Sequence, residues 1–261
     1  GRLDQLSTAG TLYLPGPTVG PAASLRLRAG PAAYSIVGVT HTTASHGAMD
    51  SLAGLVTDPL MPWDAVICTS AAVLDTVRTV VAAERDYLAW RLGHRVAPPE
   101  PMLPVIPLGV HTADFTFSDA ERRAARAALN IAPDEVVALF FGRLSYHAKA
   151  HPHAMYVGLE RAAKASGKKL ALVQCGWFAN EPIARAFKDG AAKYAPSVKA
   201  VFTDGKSDAA RRQSWAAADL FISLSDNVQE TFGLTPIEAM AAGLPSVVTD
   251  WDGYKDTVRD G

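Results

Sequence analysis

Seven short runs rich in β-branched residues punctuate the chain: SIVGVT (35–40), DAVICT (64–69), VVALFF (136–141), KLALVQ (169–174), VKAVFT (198–203), DLFISL (219–224) and SVVTD (246–250). Each is apolar almost throughout instead of alternating with polar residues, the pattern of parallel strands covered on both faces. The segments between them are longer and alanine-rich, and predict helices near 71–92, 119–129, 152–167, 181–192, 207–218 and 236–242. Strand–helix alternation of this kind predicts a doubly wound α/β architecture with right-handed crossovers. Residues 1–33, rich in Gly, Pro and Ala with little periodicity, are expected to be mostly irregular.

The 261 residues are 49% hydrophobic and 20% charged, enough to bury one large core or two smaller ones. A net charge of −1 disfavours a phosphate-backbone binder, so no nucleic-acid partner is expected. The two cysteines, Cys68 and Cys175, each sit in an apolar run, which fits buried thiols in a reducing, cytoplasmic setting better than a disulfide scaffold. No run approaches the ~18–20 apolar residues of a membrane span. A chain that starts at Gly1 without Met and stops at Gly261 is expected to be a fragment.

The stretch 97–115, APPEPMLPVIPLGVHTADF, holds five prolines. It predicts a strand running into an interdomain connection, because proline cannot continue a helix and stiffens a linker. The expected boundary lies near Val110, giving units 1–112 and 113–261.

The segment Glu230-Thr-Phe-Gly-Leu-Thr-Pro-Ile-Glu238 follows the run DLFISLSDN. Thr235 suits an N-cap, Pro236 the first helical position, and Glu238 completes a Thr-x-x-Glu capping box for the helix PIEAMAA. Gly243 should end that helix, and Pro245 prevents its continuation. The chain would thus pass through Gly233 onto a helix N-terminus at the carboxyl end of a strand, an arrangement suited to a diphosphate. On local chemistry, Glu230 reads as a solvated surface carboxylate or as an acceptor for neutral hydroxyls such as a sugar's. Glu238 reads as cap, as ligand, or as both.

The filled pattern E-T-F-G-L-x-x-x-E-A-M-A-A-G-x-P resembles the donor site of retaining GT-B glycosyltransferases of the family 4 type, the glycosyl transferases group 1. The resemblance implies two Rossmann-like domains facing a cleft: an acceptor-side domain in 1–112 and a nucleotide-sugar-binding domain in 113–261, both incomplete. It implies that Glu230 contacts the donor sugar's hydroxyls, Glu238 the nucleotide ribose, and the amides of Phe232, Gly233, Leu234 and Thr235 the sugar and diphosphate.

Upstream, FFGRLSYHAKAHP is similar to the family's G-R-L…K-G element, in which Arg and Lys bind the diphosphate; here these are Gly142, Arg143 and Lys149. Two cations there would offset phosphate charge and stabilise the leaving group. Lys149 comes one residue later than the pattern, and Ala150 replaces its glycine. His41, after SIVGVT, matches a histidine that lies near the donor sugar in relatives, whereas His46 reads as a plain surface residue. IPLGVHTADF and AAADLFISLS are weaker matches, with His111 and Leu224 standing where Asp and Pro are common. The closing DWDGYKDTVRDG resembles the family's next loop and helix, with Asp252 and Tyr254 near an acceptor or nucleotide.

The expected activity is retaining transfer of a sugar from a nucleotide-diphosphate sugar to an acceptor hydroxyl, with no protein nucleophile, no metal and no further cofactor. His147, His151 and His153 fit no common zinc spacing. The acceptor expected is a sugar, lipid or small molecule, with cell-envelope polysaccharide synthesis and peripheral membrane contact among the implied settings. The alternative is a sugar-nucleotide-binding module without turnover. A nicotinamide-dependent oxidoreductase is disfavoured because no G-x-G-x-x-G follows a strand.

Overall fold

Parallel pairing dominates the backbone of the computed structural model, which describes residues 2–147 and 149–260. The elements run α1 (Arg2–Ala9), β1 (Thr11–Tyr13), α2 (Gly20–Arg26), β2 (Ser35–Thr40), α3 (His46–Ala53), β3 (Ala65–Cys68), α4 (Ala71–Leu92) and α5 (Asp119–Ala128). They continue with β4 (Val136–Phe141), α6 (His153–Ser166), β5 (Leu170–Gly176), α7 (Glu181–Tyr194), β6 (Val198–Asp204), α8 (Asp208–Ala217) and β7 (Leu220–Ser223). The last three are α9 (Leu234–Ala241), β8 (Ser246–Val248) and α10 (Tyr254–Thr257). The chain divides into two compact units, 1–108 and 109–261.

The first unit holds a parallel sheet of order β1-β2-β3. The proline-rich segment continues it: Met102 and Val105 bridge Ala65 and Cys68 in parallel. Met102 and Ile106 donate to the carbonyls of Asp64 and Cys68, while the intervening Pro104 only accepts, from Cys68. Proline is tolerated here because its missing donor is never called for. The expectation that residues 1–33 are irregular is overturned, since α1, β1 and α2 all fall there. Pro21 sits in the first turn of α2, where a missing N–H costs nothing, and the side chain of Ala23 is fully buried.

The second unit is a five-stranded parallel sheet of order β6-β5-β4-β7-β8. All seven residues of β5 are buried. Leu170 and Leu172 join Tyr156, Leu159, Ile183 and Phe187 of α6 and α7 on one face. Ala171, Val173 and Cys175 join Trp215 and Ala239 of α8 and α9 on the other. Helices on both faces account for strands that read as unbroken apolar runs.

One device recurs at the strand starts. Asp64, just before β3, accepts from the amide of Ile36 in β2 and pairs with Arg26 through two hydrogen bonds of 2.6 and 2.8 Å. Asp219, just before β7, accepts from the amide of Val137 in β4 and pairs with Arg122 and Arg126. In each sheet the carboxylate satisfies the amide of the neighbouring strand's second residue and ties that strand to the preceding helix.

Candidate functional site

The strand order of the larger sheet reverses at β4, which has β5 on one side and β7 on the other. In open α/β sheets, ligands bind beyond the carboxyl ends of the strands at such a switch point. A pocket of about 100 Å³ lies there, lined by Phe140, Phe141 and Gly142 at the end of β4 and by Ser223 and Ser225 at the end of β7. Lys149, Glu230, Leu234, Thr235 and Tyr254 complete it.

Lys149 and Glu230, 81 residues apart in sequence, meet here at Nζ–Oε2 3.0 Å. The Lys149 backbone is fixed by the loop after β7, for Ser225 Oγ donates to its carbonyl at 3.3 Å and the Asn227 side-chain amide donates to it as well. Asn227 also accepts from Gln229 N at 3.0 Å, so one side chain shapes the loop and anchors the lysine. Glu230 is buried, which excludes a solvated surface carboxylate. Gly142 takes φ +149, a conformation that favours glycine, and turns the chain at the end of β4. Arg143 is half-buried in the same turn but is not among the residues lining the pocket.

The start of α9 differs from expectation. The helix begins at Leu234 with Gly233 as N-cap, at φ +85, and no side chain caps it. The predicted capping box, with Thr235 as cap and Pro236 at the first helical position, is therefore corrected. Thr235 and Pro236 lie inside the first turn, and Glu238 lies one turn further on. Tertiary contact decides this: Gly233 packs directly on the ring of Tyr254, where no residue with a Cβ would fit. Proline is tolerated so early in the helix because its amide would have had no partner. The helix ends as expected at Gly243, φ +71, with Leu244 N donating to Ala239 O at 2.9 Å across the glycine turn.

Glu238, freed from capping, faces a second and larger pocket of about 450 Å³ shared with His111, Asp114, Asp208, Arg211 and Trp215. Leu234 borders both pockets, so the two glutamates of the segment open onto adjoining spaces. Burial raises the Glu238 carboxyl to about 7, opposed by the Arg211 charge. Asp252 is raised to about 6, by burial first and by the Glu230 charge second. Phe232 is buried, and Gly253 N donates to Glu230 O at 3.0 Å, which ties the 230–233 loop to the turn before α10.

His41 lies in the first unit at the end of β2, exposed, with its Nε2 2.7 Å from the Pro15 carbonyl oxygen. His46 pairs with Asp50 on the surface. His153 packs edge-on against Tyr194, with ring centroids 4.4 Å apart, and His151 lies near Tyr146. Among the described residues no cluster of three His, Cys, Asp or Glu side chains is placed to hold a metal ion. No helix among them is long and apolar enough to cross a membrane. Cys68 and Cys175 are buried and free, in β3 and β5.

Sequence reasoning missed Ser225, Asn227 and Arg211, and left Tyr254 without a defined role. Ser-Asp-Asn after a strand is a turn-forming signal that could have flagged the first two. Arg211 comes from a helix whose sequence has no local mark of the site, and the resemblance of DWDGYKDTVRDG placed Tyr254 nearby without showing what it touches.

Residues 121–261, more than half of the chain, match the family model described as glycosyl transferases group 1. D-inositol 3-phosphate glycosyltransferase of Nocardia farcinica is 32% identical over 160 residues, covering 60% of this chain and 34% of that protein. The Mycobacterium tuberculosis protein of the same name is 33% identical over 149 residues, covering 56% of this chain and 29% of its own. The chain thus spans about a third of the length of these curated relatives. Among solved structures, Anabaena HepE in complex with UDP superposes with a TM-score of 0.69 at 21% identity, covering 99% of this chain and 65% of its own. The catalytic domain of Arabidopsis thaliana starch synthase IV bound to ADP and acarbose gives 0.58 at 17%, covering 99% and 61%. The fold they share is the α/β GT-B glycosyltransferase fold.

Proposed function

Because the chain belongs to the glycosyl transferases group 1 family, we propose that it transfers a sugar, with retention of anomeric configuration, from a nucleotide-diphosphate sugar to an acceptor hydroxyl. The observation that carries this reading is the Lys149–Glu230 pair at 3.0 Å, set in a pocket at the switch point of the larger sheet. Glu230 is an acceptor in a largely buried setting, suited to a sugar's neutral hydroxyls. Lys149 carries three N–H donors and spends one on Glu230, leaving two for a diphosphate oxygen.

The first-turn amides of α9 open beside the same pocket, where Leu234 and Thr235 line it. They add donors and the positive end of a short helix to the lysine's charge. Charge on a departing nucleoside diphosphate would be met by groups already in place, which is how fixed donors and cations accelerate transfer. Gly142 gives the phosphates a close approach to backbone, and Arg143 stands in the same turn as a second cation. Glu238 and Arg211, in the adjoining pocket, suit the ribose and the rest of the nucleoside. No metal is needed in this scheme, because lysine and helix amides supply the neutralisation.

Titration with UDP, GDP and ADP, followed by assay of sugar transfer from the matching nucleotide sugars, tests the reading. Saturable binding of one of them and transfer lost in Glu230→Ala would support it. Binding without transfer by the unaltered chain would favour a sugar-nucleotide-binding module. Unchanged transfer in Glu230→Ala would sink the assigned role.

A further inference from the structure

Tyr254 is among the largest fully buried side chains of the protein and the first residue of α10. Its hydroxyl lies 2.7 Å from Ser223 Oγ at the carboxyl end of β7. Its ring lies beneath the loop that leads into α9: a Cβ built on Gly233 would fall 2.4 Å from Tyr254 Cδ1 and 2.5 Å from Cε1. The turn that delivers Tyr254 is equally tight. A Cβ on Gly253 would meet Phe232 N at 2.4 Å, and Asp252 before it holds φ +45, a left-handed conformation that L residues rarely adopt. Strain held in this way marks a segment whose placement is imposed by its surroundings.

We propose that Tyr254 is a positioning residue: linked to Ser223 and packed under Gly233, it sets the height and direction of the loop from Glu230 to Thr235 relative to the end of β7. This rests on the functional reading above, in which that loop holds the donor. Three of its residues, Glu230, Leu234 and Thr235, line the pocket together with Tyr254 itself and Ser223. The left-handed Gly233 is where the chain turns into α9, so a shift there moves the first-turn amides. The Tyr254 ring blocks that shift, and its hydroxyl fixes the ring. Burial, reinforced by the nearby Glu230 charge, pushes the phenol well above its usual range, so it stays protonated and able to donate to Ser223.

The test compares Tyr254→Phe and Ser223→Ala with the unaltered chain. The measurements are UDP, GDP and ADP titration, and slow hydrolysis of the matching nucleotide sugar by water, which needs no acceptor. A loop positioned less firmly binds the donor equally less well in ground and transition states, so KM and the nucleotide Kd rise while kcat and binding stoichiometry hold. One hydrogen bond corresponds to about three- to tenfold in both constants. The double variant should be no worse than Tyr254→Phe alone, because that change already removes the link to Ser223 along with the hydroxyl's hydrogen bond to the Thr235 side chain. The proposal is overturned if Tyr254→Phe leaves Kd and KM unchanged, or if stoichiometry and kcat fall together at constant Kd, the signature of partial unfolding. Failure of the unaltered chain to bind any of the three nucleotides would overturn the functional reading, and the inference with it.

Discussion

Lys149 Nζ and Glu230 Oε2 lie 3.0 Å apart, with 29% and 11% of the two side chains exposed. The carboxylate is therefore the more committed partner. Losing the lysine would leave Glu230 charged and largely desolvated, whereas losing the glutamate would leave a cation that reaches solvent. Lys149→Ala should destabilise the chain more than Glu230→Ala. A double-variant cycle in urea should give a coupling of about 1–2 kcal/mol, above the ~0.2–1 kcal/mol of exposed pairs. Coupling near zero would mean that the pair is incidental.

Glu238 should make both stability and donor affinity depend on pH. Burial raises its carboxyl from the ordinary 4.5 to about 7 in the folded chain. Between these values the folded state holds a proton that the unfolded state has released. Stability contributed by this group is therefore complete below 4.5 and is lost as pH rises toward about 7. Glu238→Gln should flatten that part of the stability–pH curve. A nucleotide sugar, whose diphosphate does not titrate near neutrality, should bind the parent chain more tightly as pH rises through 7. In Glu238→Gln its affinity should be level.

Gly233→Ala combines a left-handed backbone at φ +85 with a collision against the Tyr254 ring. The backbone alone costs about 1–2 kcal/mol, and the collision adds to it. Melting should drop by several degrees, and nucleotide affinity should fall further than stability alone explains. Gly243→Ala, also left-handed at φ +71 but with open space around it, is the control: it should lose stability without losing affinity.

The first unit has its own critical pair. Arg26 and Asp64 are 0% and 1% exposed, and Asp64 also accepts the amides of Ile36 and Met61. Arg26→Ala leaves a buried carboxylate without its counter-charge, at a cost of about 3–5 kcal/mol. Urea denaturation should show that loss in the transition of the 1–108 unit.

Strands β2 to β8 were legible as short β-branched apolar runs: β3, β4, β5 and β7 are buried along most of their length and carry that signal in nearly every residue, whereas the edge strands β6 and β8 stay partly exposed. The helices from α4 to α9 were legible from length and alanine content, α4 to the residue at both ends, but the short α3 (His46–Ala53), between β2 and β3, was not. The opening 33 residues were not. Their elements are short, α2 begins on Gly-Pro, and β1 is held by pairing with Ser35, Ile36 and Val37 instead of by its own composition. At α9 the local pattern Thr-Pro-x-Glu favoured a start at Pro236, and packing of Gly233 on Tyr254 prevailed. Glu230 and Lys149 could be picked out singly from the residues around them. That they meet could not, because the contact depends on Asn227 and Ser225 holding the Lys149 backbone from another strand end.

The central claim is that the pocket joining Lys149 and Glu230 to the start of α9 holds a nucleotide-diphosphate sugar. Calorimetric titration of the unaltered chain, Lys149→Ala and Glu230→Ala with the nucleoside diphosphate that binds best, and then with its sugar conjugate, tests it directly. The account predicts one site per chain. Lys149→Ala should weaken both ligands by about tenfold or more, the scale of a charge-assisted contact to phosphate. Glu230→Ala should weaken the sugar conjugate more than the bare nucleotide. Equal affinities across all three proteins would contradict it.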